Sequence, residues 1–287
     1  MFVNLLRGKM TEQIKTDSAL ASTAYWTASV RALESTRTDS LFYDRWADAL
    51  AGEIGAAWMA QRTPDSVIPI VLRTRFFDDF LERITSQNGI RQIVLLAAGL
   101  DTRAYRLNWP PGVRLFELDQ PGILAYKAQI MDSANAPAQC TRLALEVDLT
   151  QPWQEDLLAA GFDPHQPSGW LLEGFLFYLP RSSITQILDQ VCRLGSPGSW
   201  LGFDVINDSM LTHPLAAQWV EMQARSGAPW IGTLDDPAGF LAERGWQAAL
   251  TQAGEPGANH GRWLYPIIPV EMPGMPHNWF VTAIHGG

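Results

Sequence analysis

Residues Gln92 to Gln129 read QIVLLAAGLDTRAYRLNWPPGVRLFELDQPGILAYKAQ, and this stretch decides the fold. An apolar run, Ile93 to Ala98, stops on Gly99, and Asp101 follows at once. A second apolar run begins at Val113 and closes on Glu117, Leu118 and Asp119. Short apolar runs bounded by turn residues read as buried strands. Together they form the strand, glycine turn, crossover and acidic strand end of a nucleoside-binding βαβ unit. In such units an acid about 20 residues beyond the glycine takes the ribose hydroxyls. Asp119 lies 20 residues after Gly99, and a carboxylate accepts from both hydroxyls of a diol.

Outward from this unit, strands and helices alternate. Strand Thr141–Val147 ends on Asp148, helix Trp153–Ala160 follows, and strand Gly169–Glu173 leads through Tyr178 to helix Ser182–Leu194. Strand Ser199–Val205 comes next and carries Asp204 near its end. Such alternation with apolar strands implies a doubly wound, mostly parallel α/β sheet covered on both faces. Residues 1 to 17 are polar and read as loose. Helices are expected over Ser18–Ser35, with Asp17 or Ser18 as cap, over Leu41–Ile54, and from Pro64-Asp65 to Thr85. Residues 18–88 thus form an N-terminal helical segment, 92–206 the nucleoside-binding core, and 207–245 a helical insert covering the strand ends. In 246–287, the apolar segments Trp246–Leu250 and Trp279–Ile284 read as an antiparallel hairpin at the sheet edge.

A chain of 287 residues with 47% hydrophobic and 18% charged residues has material for one large domain. Its net charge of −9 argues against nucleic acid as a partner, since phosphate binding needs clustered Lys and Arg. Cys140 and Cys192 have no metal-ligand spacing, and neither have the five histidines. No run is long enough to span a membrane. The first ten residues hold too short an apolar stretch for a secretory signal, and Met10 offers an alternative start. The expectation is a cytoplasmic protein without a metal.

The glycine pattern narrows the ligand. A dinucleotide fingerprint, G-x-G-x-x-G, cradles a pyrophosphate on backbone amides at a helix N-terminus. Here a single glycine is followed by Asp101, which repels pyrophosphate and suits a cationic amino-acid tail. That favours S-adenosylmethionine, with its sulfonium and ammonium. A nicotinamide-dependent oxidoreductase, and a protein that only holds the nucleoside, are the alternatives.

LLAAGLDTRAYRL (95–107), FELDQP (116–121), VDL (147–149) and LLEGFLFYLP (171–180) resemble motifs of the leucine carboxyl methyltransferase family. VLRTRFFDDFL (71–81) and RALESTRTDSLFYD (31–44) match as well, so the resemblance covers most of residues 24 to 205. It implies a Rossmann-like methyltransferase sheet of seven strands. That family includes enzymes that esterify a C-terminal leucine and polyketide carboxyl O-methyltransferases. The resemblance implies that Arg73 or Arg75 binds the methionine carboxylate, that Gly99 admits the backbone to the ligand, and that Asp101 lies beside the methionine portion. It gives Asp119, next to Gln120, the ribose hydroxyls. Asp148 with Leu149 takes the adenine, and Glu173 lines the site near the methyl group. Tyr178 falls on the substrate side. Arg103 either contacts the site or caps a carboxylate, and Arg73 and Arg75 have an alternative in Asp78, Asp79 and Glu82 on their own helix. Where the family often has glycine, this chain has Ala97. A positive φ there costs an alanine about 1 kcal/mol.

Methyl transfer from a sulfonium needs nucleophile, carbon and sulfur in line, with water excluded. A carboxylate acceptor is already ionised at neutral pH, whereas a phenol or alcohol wants a base. No histidine stands in a catalytic pattern; His213, in the insert, is the one candidate base. A small carboxylic acid is therefore the expected acceptor, and a phenolic hydroxyl the alternative. Glu117 reads as structural. Tryptophans 26, 46, 58, 219 and 230 read as packing residues, some of them walls of an aromatic acceptor pocket.

Overall fold

The computed structural model describes residues 19–286. The loose segment expected over 1–17, and a helix cap at Asp17 or Ser18, lie outside these residues. Seven strands form one sheet in the order β3-β2-β1-β4-β5-β7-β6. They are β1 Gln92–Leu96, β2 Arg114–Asp119, β3 Thr141–Glu146, β4 Ser168–Leu172, β5 Trp200–Ile206, β6 Trp246–Gln252 and β7 Asn278–His285. The first five pair in parallel, while β7 runs antiparallel to both β5 and β6. The expected terminal hairpin is thus present, with β6 at the edge.

Strand β1 is buried along its whole length. Its successive side chains point to opposite faces. Val94 and Leu96 join Phe116, Trp170 and Leu172 in one core layer. Ile93 and Leu95 join Leu115 and Leu171 in the other, under Phe77, Phe80 and Ile84. Those three come from one face of helix α3, Ile68–Ser86. Between β1 and β2 the crossover holds only the short helix α4, Arg103–Arg106, and α5, Pro121–Ser133, follows β2. Helix α6, Gln154–Ala159, follows β3, and α7, Arg181–Leu194, follows β4.

Helices α1, Ala19–Ser35, and α2, Ala47–Met59, pack Tyr25, Leu50 and Ala51 against Leu100, Ile123 and Leu124. They thereby cover the turn after β1. The second helix starts later than its sequence suggests, at Ala47 rather than Leu41. Side chains take the backbone bonds that a helix there would use: Glu34 accepts from the Leu41 amide at 2.7 Å and Asp44 from the Trp46 amide at 3.1 Å. After β5 come α8, Asp208–Thr212, a short 3-10 turn, α9, Ala217–Arg225, and α10, Pro237–Ala242. The loop between α9 and α10 lies against the end of β4, where the Ile231 and Gly232 amides both donate to the Phe177 carbonyl, at 2.8 and 3.0 Å.

The chain leaves β1 for β2 and β3 on one side and returns to β4 on the other. Ligands of open α/β sheets bind at this reversal, beyond the carboxyl ends of the strands.

Candidate active site

A cavity of about 180 Å³ opens there. Residues 95–99 of β1 and its turn line it, as do Asp119 at the end of β2 with Gln120 after it, Asp148 and Leu149 after β3, and Glu173 after β4. Helix α1 closes one side with Thr23, Ala24, Thr27 and Arg31, and α3 contributes Arg73 and Thr74.

Asp119 is held by two amides. Oδ2 accepts from Gly99 N at 2.6 Å and Oδ1 from Gln120 N at 2.7 Å. Each oxygen keeps a lone pair for another donor. Burial pushes this carboxyl above its ordinary range, and the two amides offset part of the effect. Gly99 has φ +47, and a Cβ there would stand 3.3 Å from the Ala24 methyl. Ala97 has φ +54, so the turn adopts a left-handed conformation without the residue that tolerates it best.

Asp101 and Glu173 meet on Arg103, which is 2% exposed. Arg103 Nη1 lies 2.5 Å from Asp101 Oδ2, Nη2 lies 2.8 Å from Glu173 Oε2, and Nε lies 2.7 Å from Asp78 Oδ1. Asp78 also accepts both Arg106 Nη groups, at 2.6 and 2.7 Å. Burial pushes Asp101 up, but Arg103, with Lys127, Arg106 and Arg31 beyond it, outweighs that and holds the carboxyl at about 2. Arg73 forms a second link. Its Nε donates to Glu173 at 3.1 Å and its Nη1 to Asp204 at 2.9 Å. Asp204, fully buried on β5, accepts from the Gly174 amide at 2.6 Å. Gly174 has φ +70, and a Cβ there would come within 2.7 Å of Arg73 Nη2. Asp148 is exposed and accepts from the Thr150 amide at 2.9 Å and its hydroxyl at 2.7 Å, while Leu149 is buried beside it.

Carboxylates and guanidiniums thus alternate around one cavity. This donor set suits a ligand that carries a diol, a cationic centre and a carboxylate. A family model described as leucine carboxyl methyltransferase matches residues 24–192. The chain belongs to the leucine carboxyl methyltransferase family. This methyltransferase is 38% identical over 256 residues to a Streptomyces coelicolor protein named "Putative S-adenosyl-L-methionine-dependent methyltransferase", covering 85% of this chain and 89% of that one. A Mycobacterium bovis protein of the same name is 37% identical over 268 residues, covering 85% of each chain. Two solved structures share the fold. One is a DUF574 family protein of Streptomyces avermitilis, with a TM-score of 0.59 and 13% identity over 90% of this chain and 96% of that one. The other is an O-methyltransferase family protein of Burkholderia thailandensis, with a TM-score of 0.51 and 14% identity over 95% and 73%. The cofactor of this methyltransferase is S-adenosyl-L-methionine.

Three expected residues stand elsewhere in the methyltransferase. Arg75 does not line the cavity: it pairs with Asp79 one turn along α3, at 2.6 Å, and donates to the Leu41 carbonyl at 2.9 Å. The helix-internal alternative therefore holds for Arg75, and Arg73 alone faces the site. Tyr178 also lies outside the cavity wall, in the 3-10 turn Leu176–Tyr178, with its ring 4.8 Å from that of Phe177. Burial pushes its hydroxyl up against the pull of Arg73. His213 caps the 3-10 turn Pro214–Ala216 by accepting from the Leu215 amide. Glu117 is structural as expected, fully buried and paired with Lys127 at 2.8 Å and Arg142 at 2.7 Å.

Sequence reasoning passed over Arg31, Asp44 and Asp204. Arg31 Nη2 donates to the Leu100 carbonyl at 2.6 Å and its Nε to Asp44 at 2.9 Å, while the Thr102 hydroxyl reaches the same Asp44 oxygen at 2.5 Å. These bonds clamp α1 onto the turn that carries Asp101. The signal was present in RALESTRTDSLFYD and in the acid near the end of β5.

Proposed function

We propose that this enzyme methylates the carboxylate of a small acid to give a methyl ester. When bound, S-adenosyl-L-methionine supplies a methyl group on a cationic sulfonium, open to displacement by an oxygen nucleophile. Asp119 holds the ribose hydroxyls, with Gln120 beside it, and Asp148 and Leu149 hold the adenine. Arg73 receives the methionine carboxylate, with Asp101 and Glu173 beside the ammonium and sulfonium. Ala97 and Gly99 let the backbone approach, and Arg103 fixes both acids. The observation that carries the ester reading is that the acids of the methionine end are already committed. Asp101 and Glu173 are both paired with Arg103, and Glu173 with Arg73 as well. An acid held at about 2 accepts no proton at neutral pH. Such a site serves an acceptor that arrives ionised and needs only positioning.

Two free cysteines, Cys140 and Cys192, support a reducing compartment, the cytoplasm. Among the described residues no helix is long and apolar enough to cross a membrane.

Incubation with methyl-labelled cofactor and a panel of carboxylic acids and phenols tests the reaction. The expected product carries label that mild alkali releases as methanol, the mark of an ester. Label that survives alkali, as in a phenol ether, contradicts the reading.

A further inference from the structure

Arg62 has no carboxylate partner among the described residues. Arg62 lies in the connection between α2 and α3. Its guanidinium carbon is 4.3 Å from the ring centre of Trp26 and 5.0 Å from that of Trp58. The two indoles are nearly parallel, at 19°. Arg62 Nη2 donates to Ser226 Oγ at 2.6 Å, while Nη1 is buried with no hydrogen-bond partner among the described residues. Burial pushes this guanidinium down, whereas the ion pairs of Arg73, Arg103 and Arg106 drive theirs up against burial. Arg62 is half-buried, and a charge partly withdrawn from water with no counter-ion among the described residues is costly; a bound anion relieves that cost.

The surroundings place this cation at the acceptor's side. Trp26 is on α1, whose Thr23, Ala24 and Thr27 line the cavity. The charges of Arg62 and of Arg73, a cavity-wall residue, both act on the Tyr178 hydroxyl. Phe177 and Trp230 pack beside it with ring centres 5.3 Å apart. Phe177 and Tyr178 follow β4, and Ser226 and Trp230 follow β5, two strands on the other side of β1 from the Asp119 and Asp148 strand ends.

We infer that Arg62 receives the carboxylate of the methyl acceptor and so selects acids over neutral molecules, with Trp26, Trp58 and Trp230 walling the acceptor's apolar body. Planar guanidinium forks pair with carboxylates in two-point geometry, and indoles suit a flat body. Methylation removes the charge that Arg62 binds, so the ester leaves more readily than the acid. This inference rests on the carboxyl-methylating reading.

Calorimetric titration tests it without turnover. Protein saturated with S-adenosylhomocysteine is titrated with benzoate, cinnamate, indole-3-acetate and octanoate, and with the amide of each. At least one acid is expected to bind tenfold or more tightly than its amide. Arg62→Met reduces that preference below twofold and leaves S-adenosylhomocysteine affinity within twofold. Arg62→Lys, which keeps the charge without the fork, retains part of the preference and serves if the Met variant does not fold. A wild type that prefers no acid to its amide, or a Met variant that keeps the preference, overturns the inference and leaves the cofactor assignment intact. A wild type that does not bind S-adenosylhomocysteine defeats the methyl-transfer reading itself, and the inference with it.

Discussion

The amide of Gly99 donates a 2.6 Å hydrogen bond to Oδ2 of Asp119, so the turn after β1 and the end of β2 hold each other in position. The acid expected to meet the ribose is thus fixed in the free protein, and binding need not order it. Preorganisation of this kind raises affinity by reducing the entropy lost on association.

Burial also holds the Asp119 carboxyl above its ordinary range. Below that raised value the group is protonated and offers the ribose hydroxyls a poorer acceptor. The Kd for S-adenosylhomocysteine should therefore rise as pH falls, with an inflection above the usual carboxylate value of about 4. Calorimetry across pH checks this, and Asp119→Asn should bind more weakly and lack the inflection.

Ala97 at φ +54 stores strain that glycine would not. Ala97→Gly should stabilise the fold by about 1 kcal/mol, read as a higher urea midpoint at unchanged slope. Cofactor affinity should hold or improve. An unchanged or lower midpoint would show that the alanine is relaxed there.

Asp101 is held at about 2 by Arg103 and its neighbours, against burial. A depressed folded-state value stabilises the fold above the unfolded value near 3.9 and loses that contribution as pH falls through the folded one. The protein should lose about 2 kcal/mol from this group between roughly pH 4 and 2. Urea titrations in that window should show a smaller loss for Asp101→Asn.

At Gly174 a Cβ would stand 2.7 Å from Arg73 Nη2, at φ +70. Gly174→Ala should displace Arg73 and cost about 1–3 kcal/mol of stability. Methyl transfer should fall tenfold or more. Arg75→Ala is the paired control. Its ion pair with Asp79 is half-exposed, so stability should drop by less than about 1 kcal/mol, with cofactor affinity within twofold of wild type.

The turn after β1 and the acidic end of β2, which line the cavity, were readable because both lie within one short stretch of sequence. Gly99, Asp101 and Asp119 fall on one turn and one strand end, and strand ends point where ligands bind. The five parallel strands and the terminal hairpin were readable for the same local reason, as apolar runs bounded by turns. Arg73 and Arg75 were not separable from the motif alone. Two residues apart on a helix are about 200° apart around its axis, and only packing against the sheet shows which one turns inward. The start of α2 was missed because the Leu41 and Trp46 amides are taken by Glu34 and Asp44 side chains. The Arg31–Asp44–Thr102 clamp joins residues up to 71 positions apart, and no local pattern connects them. Arg62 likewise becomes legible only when Trp26, Trp58 and Ser226 are seen around it.

The central claim is that the cavity where the sheet order reverses holds S-adenosyl-L-methionine through Asp119. Calorimetric titration of the cofactor into wild-type protein and Asp119→Ala tests it most directly. The expected result is saturable binding of one cofactor per chain, weakened at least tenfold in the variant at an unchanged fold by circular dichroism. Equal affinity in the two folded proteins, or none in the wild type, would contradict it.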